Sequence, residues 1–232
     1  MSGPAPAALL AALGPDSGQR RLVVVWGPLG DFDSFEYAQA LVPDLPRLAA
    51  AGIRVQAFAI GDAAGRERFC AFTGFPVERL TVLSDNGLHQ ALQLHSGLTT
   101  AAGPWPNLLL MCAGIGSPGT LAEVLRGYRG DRRAASRLAW PLFRLAGSEA
   151  SLRPFELATV RLRNMLEVLG HWRTYVPSDT WLTQRGGTFL LDADTSLLYQ
   201  HRDPGLLGFS ATMERPLAFL DPFLSRWEPA AA

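Results

Sequence analysis

Five consecutive apolar residues, Leu-Val-Val-Val-Trp at 22–26, stand between Arg21 and Gly27-Pro28. A run of that length with no polar alternation suits a strand covered on both faces. The turn that follows leads to Asp31 and Ser34, whose side-chain oxygens are good acceptors for the free N–H groups of a helix start. A strand feeding a helix N-terminus gathers those N–H groups and the positive dipole end at one spot, which favours an anion or a thiolate. In this chain the spot reads Gly30-Asp31-Phe32-Asp33-Ser34 and holds no cysteine.

The same local signals recur downstream. A short helix is expected at 8–13, before the first strand. The helix after Asp31 should kink or restart at Pro43 and Pro46 and end at Gly52. Residues 53–60 alternate, with Val55, Ala57 and Ala59 on one face, and predict a strand. Gly61-Asp62 caps a helix that Gly74 closes near Thr73. Residues 80–83 read as a short strand, and Ser84-Asp85-Asn86 as the cap of a helix over 87–95. Three strand–helix units predict a parallel-rich sheet with helices on both faces. The rhythm returns at 188–192 and 197–201, two strands around Ala193-Asp194-Thr195-Ser196, followed by a helix over 212–224 interrupted or restarted at Pro216.

Between these halves lies a long departure. Residues 96–178 are rich in Gly, Pro and Arg, and read as an insertion within one domain spanning 1–232. Helices are expected at 120–128 and 154–172, with a loop at 129–153. The second helix places Phe155, Ala158, Leu162, Met165, Leu166 and Leu169 on one face and Arg161, Arg163, Asn164 and Glu167 on the other. Net charge is zero overall, which gives no reason to expect nucleic acid, but residues 120–190 hold 11 Arg against 6 acids. Arg126, Arg129, Arg132, Arg133 and Arg137, with Tyr128 and Trp140, form a basic, partly aromatic stretch. It reads either as solvated surface or as a contact for an acidic protein face or anionic lipid.

The chain has no lysine, which excludes Schiff-base and Walker-type chemistry. The 48% hydrophobic content argues for a globular chain. No apolar run reaches the ~18 residues of a membrane span, and the first residues lack the basic region of a signal peptide. Cys70 and Cys112 lie in apolar surroundings and read as core thiols before they read as a disulfide or as relocated nucleophiles. Gly114-Ile-Gly-Ser-Pro-Gly119 fits a dinucleotide fingerprint in letters, but no second strand ending in an acid follows it. A loop-to-helix turn is the preferred reading there. His89, His95, His171 and His201 show no metal-ligand spacing, so neither metal nor cofactor is expected. Asp31, Asp33 and Glu36 form an acidic cluster; paired carboxylates can do acid/base work, but a helix start recruits acids for structural reasons, which is the preferred reading.

Taken together, Leu80-Thr-Val-Leu-Ser-Asp85, Gln184-Arg-Gly-Gly-Thr-Phe-Leu-Leu-Asp192 and His201-Arg-Asp203 resemble the peroxiredoxin-like branch of the AhpC/TSA family. The similarity covers 20–95 and 184–221, and looks closest to cyanobacterial members and peroxiredoxin-like 2 proteins. Two insertion segments, 108–119 and 153–158, resemble the cyanobacterial members only. The resemblance implies a thioredoxin-like fold: a mixed central sheet flanked by helices, with a large, mostly helical insertion before the C-terminal hairpin. It also implies a Cys-x-x-Cys or a single reactive cysteine in the first strand–helix turn. Here Asp31 and Ser34 occupy those positions, with Arg185 expected nearby. A carboxylate cannot replace a thiolate nucleophile on peroxide or disulfide.

The expected function is therefore a thioredoxin-fold scaffold that has lost its redox centre and binds a protein partner through residues 96–178. Peripheral contact with an anionic membrane and homo-oligomerisation stay open. The alternative is a thiol peroxidase or disulfide oxidoreductase using Cys70 or Cys112. The resemblance to cyanobacterial members implies a cytoplasmic location, with thylakoid association as a further option.

Overall fold

The computed structural model describes residues 3–14, 18–97, 161–204, 208–212 and 215–224. Their order is β1 (Gly3–Pro4), α1 (Ala7–Leu13), β2 (Arg20–Pro28), α2 (Phe32–Leu41), α3 (Leu45–Ala50), β3 (Ile53–Ile60), α4 (Ala63–Thr73), β4 (Leu80–Leu83), α5 (Gly87–Ala91), α6 (Arg161–Gly170), α7 (Trp172–Tyr175), β5 (Gly187–Leu191), β6 (Ser196–Arg202) and α8 (Asp221–Leu224). Six strands form one mixed sheet in the order β1-β6-β5-β2-β3-β4. This is the thioredoxin-like α/β architecture.

The continuous apolar run forms the centre of that sheet. β2 pairs in parallel with β3 and antiparallel with β5. Its side chains alternate between two cores. Leu22, Val24 and Trp26 join Phe35 and Phe69 on one side. Val23 and Val25 join Leu9, Phe58, Leu92 and Phe189 on the other. Neither face meets water, so the strand has no polar face.

The helix signals act locally. Asp31 and Asp62 cap α2 and α4, accepting from Ser34 N at 3.1 Å and Gly65 N at 2.8 Å. Gly74 ends α4 in the left-handed region, at φ 79°, where a side chain would be strained. After α2 a single 3-10 turn, Val42–Asp44, carries Pro43 and redirects the chain into α3.

Three expectations need correction. α5 ends at Ala91 and not at residue 95. The C-terminal helix over 212–224 is replaced, in the residues described, by a 3-10 turn at Ala218–Leu220 and the four residues of α8. The third concerns α6, where the inward residues are Asn164, Met165 and Val168, while Leu166 and Leu169 are 67% and 48% exposed. Asn164 was expected on the outer face. It is buried because Gln39 of α2 meets it with two hydrogen bonds, Gln39 Nε2 to Asn164 Oδ1 at 3.0 Å and Asn164 Nδ2 to Gln39 Oε1 at 3.1 Å. Reciprocal pairing gives each amide a donor and an acceptor partner, which is what a buried polar side chain requires.

Glu167 fixes α6 further. Its Oε1 accepts from Arg68 Nε of α4 at 2.7 Å and from the Tyr175 hydroxyl of α7 at 2.8 Å. Burial works against its charge, but those bonds outweigh it and hold the carboxyl below its ordinary range.

Candidate functional site

The sheet topology decides what surrounds the turn after β2. β5 runs antiparallel to β2 with Val25 opposite Gly187, so the residues entering β5 lie beside the end of β2. β6 runs antiparallel to β5 with Gly187 opposite Arg202, so the residues leaving β6 arrive at the same place. Asp31 and Asp33 from α2, Arg185 before β5 and Asp203 after β6 are thus brought to one end of the sheet.

Close backbone packing seats them. A Cβ on Gly27 would collide with the Gln184 carbonyl oxygen, and one on Gly186 with that of Val25. Only glycine allows the two segments to approach so near. A buried amide network braces the 184–186 segment. Asn86 Nδ2 donates to Gln184 Oε1 at 3.1 Å, and Gln184 Nε2 donates to the His95 carbonyl at 2.9 Å. His89, fully buried, contacts the Trp26 carbonyl through Nε2 at 2.7 Å. Burial is the main reason its pKa is lowered, so the neutral ring donates from Nε2.

Arg185 is the hub. It lies 3.1 Å from Asp31 Oδ1, 2.6 Å from Asp33 Oδ2 and 3.7 Å from Asp203 Oδ2. Burial opposes its charge, but the three carboxyl groups outweigh burial and its pKa is raised. Asp31 has a second duty at the helix start: its Oδ2 accepts from Ser34 N and, at 2.9 Å, from Ser34 Oγ. The Ser34 hydroxyl is spent on that carboxylate. Asp33 Oδ2 also accepts from Gly208 N at 2.7 Å, and Arg185 Nη2 donates to the Gly208 carbonyl at 3.1 Å. Phe209 stacks on Tyr37 with centroids 4.4 Å apart, and the Tyr37 hydroxyl meets Thr188 Oγ1 at 2.8 Å. The remaining cavity at the turn, lined by Trp26, Asp31, Asp33, Ser34, Tyr37, Asp203 and Phe209, has a volume of about 10 Å³, the size of one water.

The family resemblance implies Arg185 near Asp31 and Ser34, and the structure sets Arg185 against Asp31, which in turn bonds Ser34. It adds Asp33, which the sequence presents as a structural acid of the helix start, and Asp203, which closes a segment that resembles the family. Cys70 stays on α4 within the apolar core beside Phe69 and Phe75. Burial is the main cause pushing its thiol up to about 11, with Glu78 adding and Arg66 opposing. Such a thiol is a weak nucleophile at neutral pH. Cys112, the glycine motif at 114–119, the expected helix at 120–128, Tyr128, Trp140 and Arg126, Arg129, Arg132, Arg133 and Arg137 lie outside the described residues, as does most of the insertion. Among the described residues, no group of three or more His, Cys, Asp or Glu is arranged to hold a metal. No helix among them is long and apolar enough to cross a membrane.

The sequence model of the AhpC/TSA antioxidant enzymes matches residues 40–205. The chain belongs to the AhpC/TSA family. The match begins inside α2, after the Asp31–Ser34 turn, and includes Arg185 and Asp203. Family membership and the mixed six-stranded sheet agree with each other. No curated protein and no solved structure matches the chain.

Proposed function

We propose that this AhpC/TSA-family protein is a scaffold without thiol chemistry at the family's redox turn, and that it acts by binding a partner protein. The observation that carries the reading is the Asp31–Arg185 ion pair at 3.1 Å, inside a turn where Asp31 also caps α2. An oxyanion there satisfies both the helix N-terminus and the guanidinium, as a thiolate would, but a carboxylate is a far weaker nucleophile and has no counterpart of the sulfenic acid that peroxide forms on sulfur. Filling the site with fixed charge suits a structural role for the turn. The raised pKa and burial of Cys70 support the same reading.

The partner-binding half rests on residues 96–178, with Arg126, Arg129, Arg132, Arg133 and Arg137 as the proposed contact for an acidic protein surface or an anionic membrane face. The net +5 over 120–190, from 11 Arg and 6 acids, supports it.

Peroxide consumption by the tag-free protein, with thioredoxin or glutathione as reductant, tests the first half. The expected result is no turnover above buffer, unchanged by alkylation. Turnover that alkylation abolishes, and that Cys70→Ser or Cys112→Ser removes, would instead establish a relocated thiol peroxidase.

A further inference from the structure

A cleft of about 390 Å³ opens where α2 and α3 meet the C-terminal segment. That volume lies in the range of ligand sites, which are mostly apolar with a few placed polar groups. Ala40 of α2, Leu217 and Leu224 supply apolar lining. The charges come as two ion pairs, one from the α2–α3 turn and one from the C-terminal segment. Arg47 Nη1 donates to Asp44 Oδ1 at 3.0 Å, and Arg215 Nη2 donates to Asp221 Oδ2 at 2.7 Å. The Arg215 and Asp221 side chains are 69% and 53% exposed. A pair so exposed contributes little to stability and gives up its geometry at little cost. The cleft therefore offers an apolar surface bordered by both signs of charge.

The sequence next to this cleft carries the matching pattern. Leu224, 5% exposed, ends α8 and also lines the cleft. The chain continues Ser225-Arg226-Trp227-Glu228-Pro229 and then three alanines. Trp227 is the one large apolar side chain of that stretch. It stands three positions beyond Leu224, so its backbone lies at most about 10 Å away, and the cleft begins at Leu224 itself. Burying an indole takes about 150–250 Å² out of water. Arg226 and Glu228 flank it with one charge of each sign, as the carboxylates and guanidiniums around the cleft require.

We propose that the cleft is a peptide-binding site whose occupant is the chain's own segment 225–232, anchored by Trp227. Tethering favours this occupant over the same segment of a second copy. A short linker holds its two ends at an effective concentration on the order of millimolar, well above that of separate copies in dilute solution. Once seated, Trp227 ties the C-terminal segment to α2 and α3, on a surface separate from residues 96–178. The docking does not depend on whether the protein retains thiol chemistry or binds a partner.

The test is NMR on the full chain with ¹³C-labelled Ala and Leu methyls, the Trp227 indole being assigned by comparison with Trp227→Phe. Cross-relaxation peaks are expected from that indole to the Ala40 and Leu217 methyls, unchanged on dilution. In Trp227→Ala the ring-current shifts at those two methyls should be lost. No peak from the Trp227 indole to any methyl lining the cleft, or methyl shifts unaltered in Trp227→Ala, would overturn the proposal. The wild-type peaks do not depend on how either variant folds. Mixing methyl-labelled chains that carry deuterated indoles with unlabelled chains leaves only peaks between copies. Their absence supports docking within one chain; their presence assigns the cleft to a second copy's segment and overturns it.

Discussion

Arg185→Met removes the guanidinium that bridges Asp31, Asp33 and Asp203, while roughly keeping the volume. Arg185 is 2% exposed, and its Nη atoms bond Asp31, Asp33 and the Gly208 carbonyl. Breaking a buried ion pair from one side costs about 3–5 kcal/mol, because the partner charges are left without compensation. Against a total of about 5–15 kcal/mol, that is a large fraction. In urea, with a slope of about 2 kcal/mol per molar, the unfolding midpoint should fall by ~1.5–2.5 M, followed by tryptophan fluorescence and far-UV circular dichroism. The loss also has a pH signature. Without Arg185 the carboxyl groups lose a compensating charge and take up protons more readily, so the variant should suffer more at pH 8 than at pH 5. A midpoint shift below about 0.5 M, or the same shift at both pH values, would refute the view that the cluster is an electrostatic hub. Asp203→Asn in the same background should recover part of the lost stability.

Three further outcomes check other parts of the structure. Met165→Ala should cost about 2–5 kcal/mol through the cavity it leaves, whereas Leu166→Glu one residue on should change stability by less than about 0.5 kcal/mol, both read by chemical denaturation. The native Cys70 thiol should react with a maleimide at pH 8 on the order of 100-fold more slowly than the same thiol in urea, since its pKa stands near 11; equal rates would mean the site is open. Gly186→Ala should lower the thermal midpoint by several degrees, because the added methyl meets the Val25 carbonyl and must push β5 off β2; an unchanged midpoint would show that this contact yields freely.

Strands β2 to β6, the two helix caps and the left-handed stop at Gly74 were legible because each depends on a few neighbouring residues, whereas the two-residue edge strand β1 exists only through its pairing with β6. An apolar run of five must be covered on both faces. Asp31 and Asp62 lie three residues before the amides they cap, and glycine alone is at ease with a positive φ. The absence of a thiol at 31–34 was equally plain, since it is a matter of residue identity. The inner face of α6 was misread because periodicity scores Leu166 and Leu169 as apolar and Asn164 as polar. Gln39, 125 residues away, makes Asn164 a core residue. The residues' own pattern did not show the charge cluster for the same reason, and the family resemblance offered Arg185 near Asp31 but not Asp203. Residues 31, 33, 185 and 203 meet only because β5 and β6 both run antiparallel to their neighbours, with Gly187 opposite both Val25 and Arg202. Chemistry that is local along the chain was fixed by composition and spacing. The meeting of Arg185 with Asp31, Asp33 and Asp203 arose only when strand register carried distant residues to one buried end of the sheet, where charges act on one another more strongly than in water.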